Sequence, residues 1–148
     1  MKHRSVRLIV VVAAFVLPAA ALAGGAAMNP ELGAKLTGKY EVPKGSPNGH
    51  GIVNLNLKAA AGKVCWTFQL AGVGSPTAAH IHKGGAGVAG PVVVPLGGSY
   101  KAKGCASAPK NVIEAIESSP NAYYVNVHTA KYPNGSVRGQ LVVGMVHM

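Results

Sequence analysis

The stretch AAHIHKGGAG (residues 78–87) sets small or apolar side chains against histidines in strict alternation and then runs into glycine. A period of two is the mark of a strand, where successive side chains point to opposite faces. His80 and His82 therefore share one face, Ala79 and Ile81 take the other, and the glycines supply a turn. The same reading of Tyr124-Val125-Asn126-Val127-His128 sends Val125 and Val127 to the core and Tyr124, Asn126 and His128 to the opposite face.

Outward from these two segments, Gly and Pro punctuate the chain about every ten residues, with short β-branched or alternating runs between them. The runs predict strands over 34–40, 51–58, 63–71, 78–82, 92–96, 122–128 and 138–143. Seven short strands suit an all-β, two-layer Greek-key architecture, a sandwich or barrel. One segment departs from the pattern: Asn111, Val112, Ile113, Glu114 and Ile116 follow helical spacing, with Asn111 as N-cap and Glu114 three residues later, and predict one short connecting helix. Glu114 and Glu117 sit on its solvated face, a placement that argues against paired acid/base catalysis. The segments 44–50, 83–91 and 130–136 are turn-rich, and PNG at 47–49 and 133–135 predicts tight reversals in which Asn or Gly takes positive φ.

The chain opens with Lys2, Arg4 and Arg7, an apolar run from Leu8 to Leu17 and small residues ending Ala21-Leu22-Ala23, the composition of a secretory signal peptide over 1–23. Residues 24–148 then form a single domain with no integral membrane segment, secreted or periplasmic. The sequence carries 14 lysines and arginines against 4 acidic residues, for a formal net charge of +10. The basic residues are scattered singly and no aromatic platform is interleaved with them, so the pattern argues against a nucleic-acid partner. Cys65 and Cys105 are the only cysteines; an isolated pair in an oxidising compartment reads as a disulfide rather than a metal or redox site. Trp66, next to Cys65, is expected to pack on the bridge or the core. His50 in a turn and His147 in the tail carry no assignment.

Two imidazoles at i and i+2 on a strand can chelate one ion, and His128 from a neighbouring strand completes a three-nitrogen set suited to copper, with zinc as second choice. The alternative is that His80 and His82 simply hydrogen-bond beside the glycine turn.

LTGKYEVP (36–43), AAHIHKGGAGVAGPVVVPL (78–96) and YYVNVHTAKYPNGSVRGQL (123–141) resemble, in order and spacing, the three blocks of the CHRD domain, a module named after chordin and found in many exported bacterial proteins. The resemblance implies an immunoglobulin-like β-barrel distantly similar to the copper/zinc superoxide dismutases, and no settled activity. Bacterial members often carry an acidic residue in the last block, where this chain has Gly135-Ser136-Val137-Arg138-Gly139, so no role of that carboxylate carries over. The dismutase similarity implies a His-X-His copper pair, a later histidine and an arginine that steers superoxide, matched in type and order by His80, His82, His128 and Arg138. It gives out at the second metal, because the chain contains no aspartate and no evident bridging histidine.

The leading functional expectation is an exported binding module that recognises an extracellular or periplasmic protein, a matrix component or a metal ion, with no assembled catalytic set. The alternative is a copper-dependent, dismutase-like redox enzyme in which Arg138 steers the anion. Arg138 beside Gly135 and Gly139 is equally readable as a structural residue that binds turn carbonyls. Tyr124 and Asn126, on the face of His128, are expected to support the imidazoles, although a tyrosine there can equally be an ordinary surface residue.

Overall fold

Leu32, Ala34 and Leu36 turn inward from the first strand while Glu31 and Lys35 face water, and this alternation recurs along the chain. A computed structural model describes residues 30–148; the expected signal peptide lies outside them. Nine strands form: β1 (Glu31–Thr37), β2 (His50–Lys58), β3 (Lys63–Ala71), β4 (Pro76–Lys83), β5 (Val92–Pro95), β6 (Lys103–Ser107), β7 (Tyr123–Thr129), β8 (Val137–Gln140) and β9 (Val142–Val143). They pair antiparallel in the order β5-β4-β7-β8-β1-β2-β3-β6, with β9 added to β1, as one sheet that curls into a nearly closed barrel. Consecutive strands β3 and β4 lie in opposite halves of the sheet, so their connection is a crossover, as the Greek-key reading requires.

Inward residues from both halves meet in one core that includes Leu55, Leu57, Trp66, Phe68, Ile81, Val94, Val125, Val127 and Leu141. Helix α1 (Lys110–Ser118) adds Ile113 and Ile116, both fully buried, and leaves Glu114 outside in an exposed pair with Lys110. Trp66 belongs to this core: its Nε1 donates to Lys101 O at 2.8 Å, and Gly104 opposite it leaves the space its ring fills.

Five details depart from the sequence expectations. The strand expected over 34–40 spans Glu31–Thr37, because Gly38 receives the N–H of Gly45 and the chain leaves the sheet in a 3-10 turn. The strand expected over 138–143 is interrupted at Leu141, which enters the core between β8 and β9. Strand β6 was not anticipated, since KGCAS has little β propensity; it is held to β3 by a register that sets Cys105 opposite Cys65. The N-cap of α1 is Pro109, not Asn111, and the N–H groups of Val112 and Ile113 bond to Pro109 O. Of the two PNG turns only the second has a positive φ, at Gly135 (+140°). Cys65 and Cys105 form the expected disulfide across β3 and β6.

Candidate metal centre

Register brings the site together. Across β4, β7 and β8, His82 faces Tyr124 and Tyr124 faces Gln140, while in the next row His80 faces Asn126 and Asn126 faces Arg138. Pleating puts all six on the face opposite Ile81, Val125 and Val127. His128 stands across from Ala78, whose small side chain leaves the space into which the imidazoles of His80 and His128 lean. Their ring centroids are 4.8 Å apart, and those of His82 and His128 6.4 Å.

One nitrogen from each of His80, His82 and His128 lies within 4.8 Å of the others. Two nitrogens at about 2.0–2.1 Å from one tetrahedral ion sit about 3.4 Å apart, so the rings must close in by up to about 1.4 Å to complete the set. The outer nitrogens are already committed. His82 Nδ1 donates to Gly90 O at 2.8 Å and His128 Nδ1 donates to Pro133 O at 2.9 Å. A carbonyl only accepts, so both rings carry a proton on Nδ1, which leaves Nε2 of each as the nitrogen on the cluster side. His82 Nε2 is buried and has no hydrogen-bond partner. His80 Nδ1 lies 3.0 Å from His128 Nε2, and Asn126 Oδ1 lies at the same distance from that nitrogen.

Burial, reinforced by the neighbouring rings of His128 and His82, pushes His80 down to about 4. Burial also lowers His82, opposed by its bond to Gly90. Both imidazoles are thus neutral at neutral pH, the form that ligates metals.

This outer face is largely covered. His82 is 8% exposed, Tyr124 3%, Asn126 2% and Arg138 1%. The glycine-rich segment 84–90 folds over them and is clamped in place. Arg138 donates to Val88 O (2.9 Å), Gly85 O (3.2 Å) and Gln140 Oε1 (3.2 Å), and Gln140 Nε2 donates to Gly84 O. Tyr124 accepts the N–H of Gly90, its ring stacks on His82 (4.8 Å, 9°), and the Arg138 guanidinium lies 3.5 Å from its centre. Arg138 thus takes the carbonyl-binding arrangement, and Tyr124 is a buried spacer between His82 and the guanidinium rather than a surface residue.

The sequence reading missed Gly90, whose carbonyl orients His82, and Gln140. Gly90 is required there because a Cβ would lie 1.7 Å from Lys83 O. The one available signal was the glycine spacing after His82. It also missed Glu41, buried with Oε1 unpartnered. Ser136 is fully buried with Oγ unpartnered.

An antiparallel barrel with three imidazoles gathered on the outer face of its sheet defines an all-β domain with a candidate metal centre. The chain belongs to the CHRD domain family, which matches residues 32–141. No curated protein matches the chain significantly, and no solved structure does either.

Proposed function

We propose that this protein is an exported CHRD-domain binding module that holds one metal ion, copper foremost and zinc second, through His80 Nδ1, His82 Nε2 and His128 Nε2. The observation that carries the reading is the buried, unpartnered Nε2 of His82 in a group of three imidazoles that each offer a nitrogen within 4.8 Å of the others, while its Nδ1 is anchored on a backbone carbonyl. Leaving a polar atom buried and unsatisfied costs about 1–3 kcal/mol, which an ion at the centre of the cluster would relieve. Export, secreted or periplasmic, is supported by the basic and apolar composition of residues 1–23 and by the disulfide. On this reading residues 24–148 form the single mature domain, and its partner is an extracellular or periplasmic protein or matrix ligand.

The dismutase alternative needs a guanidinium free to attract an anion. Three N–H groups of Arg138 bond Val88, Gly85 and Gln140 and the side chain is enclosed, which supports binding over turnover. Arg138, Tyr124 and Asn126 serve in this reading to hold the imidazoles and the 84–90 segment in place.

The test is calorimetric titration of chelator-stripped mature protein with copper(II) and zinc(II), beside a His80→Ala/His82→Ala variant. One equivalent should bind, and the variant should lose more than the roughly 10–100-fold that outer partners of a metal site are worth. Equal, weak binding by both proteins would end the metal reading. A superoxide-consumption assay on the copper-loaded form then separates the two functions: binding without consumption is expected.

A further inference from the structure

Across the 84–90 segment from the imidazoles, the turn after β1 and the strands β8 and β9 enclose a cleft of about 730 Å³. Its size is that of a small-molecule site, about 300–1,000 Å³. Lys35, Lys39 and Lys44, scattered singly in the sequence, are gathered around it. Among the described residues the single ion pair joins Lys110 and Glu114, so none of the three is neutralised by a carboxylate. Between them the walls are apolar: Tyr40, Val42 and Val142 are 55%, 41% and 47% exposed, unusually open for such side chains.

At the inner wall lies Glu41, 5% exposed, its Oε1 without a partner and its carboxyl packed on Gly135, where a Cβ would come within 2.4 Å of it. Glu41 thus lines the cleft while its carboxyl is turned against Gly135 rather than open to the cavity. Burial also pushes this carboxyl up to about 7 against the pull of Arg138, so below neutrality it sets no full like charge beside an incoming anion.

We propose that this cleft binds an organic anion with an apolar body, a fatty-acid-like carboxylate whose head meets Lys35, Lys39 and Lys44 and whose chain lies on Tyr40, Val42 and Val142. The cationic rim selects the head by charge, and the exposed side chains gain by burying the chain. The cleft shares Arg138, Gln140 and the 84–90 segment with the imidazole site but is lined by none of the three histidines.

The experiment titrates the metal-free mature protein with dodecanoate below its micelle concentration, and in parallel with dodecyltrimethylammonium, which has the same chain and the opposite charge. One dodecanoate should bind saturably, with the cation at least about tenfold weaker. A Lys35→Ser/Lys39→Ser/Lys44→Ser variant, altered only at exposed positions and checked for an unchanged melting curve, should bind dodecanoate at least about tenfold more weakly. Val142→Glu, on the apolar part of the lining, should weaken it independently, whereas His80→Ala/His82→Ala should leave it unchanged. The proposal is overturned by equal binding of the two detergents, by full affinity in the lysine variant, or by loss in the histidine variant, which would place the ligand elsewhere.

Discussion

Arg138 is a buried cation with no carboxylate within ion-pair distance; carbonyl dipoles, an amide oxygen and the face of Tyr124 stabilise it instead. Its nearest acidic influence is Glu41, whose carboxyl moves from an ordinary 4.5 to about 7 because burial outweighs the guanidinium. Below about pH 4.5 that carboxyl is neutral in both folded and unfolded chains. Between 4.5 and 7 the unfolded chain releases the proton and the folded one keeps it, so stability falls as pH rises through about 7. Arg138 and the lysines of the same cleft, Lys35, Lys39 and Lys44, are the charged groups around it. Glu41→Gln should therefore match the parent at pH 4 and exceed it at pH 8 by on the order of 1–3 kcal/mol. Thermal melts at the two pH values check this, and an equal gap at both would refute the assignment. The carbonyl-binding role of Arg138 was readable from the glycines beside it. Glu41 was not, because its burial depends on the turn at 38–46 meeting Gly135 nearly a hundred residues later, a contact that no local pattern encodes.

The site is a product of three paired strands rather than of any one. Period-two alternation in 78–82 and 124–128 was enough to assign the histidines to one face, because pleating leaves no other arrangement once Ile81, Val125 and Val127 are inside. What alternation cannot give is register between strands, and register places His128 beside Ala78 and so beside the imidazole of His80. Nor does it reveal that a loop will return over that face; the clamp on 84–90 draws its donors from β8 and an accepting hydroxyl from β7. Gly90→Ala, whose Cβ would collide with Lys83 O, should displace the loop, free His82 Nδ1 and weaken metal binding by about 10–100-fold. Gly85→Ala, where a Cβ meets nothing within 4 Å, is the control and should bind as the parent does. Calorimetry on the two variants reads the difference; equal affinities would mean the loop does not orient the ligand.

At the scale of the whole molecule, the all-β class and the curl around one core followed from spacing of Gly and Pro, whereas β6 escaped notice because its sequence has almost no strand character. It is fixed by the bridge from Cys105 to Cys65, 40 residues apart in the chain. Closing such a loop stabilises the fold by about 4 kcal/mol in the chain-entropy account. Replacing both cysteines by serine should lower the melting temperature by about 10 °C or more, while metal affinity at the distant β4–β7 face stays as it was. A change in affinity would tie the two halves of the sheet together more closely than their separate packing implies.

A sheet that stops short of closure keeps two rims along which another copy could zip on. One rim, β5, is four residues long and ends in Pro95; the other, β6, is five residues long. Behind β6 runs the nine-residue β3. By pinning a short strand over a long one, the sulfur bridge keeps that longer rim from becoming a template for polymerisation.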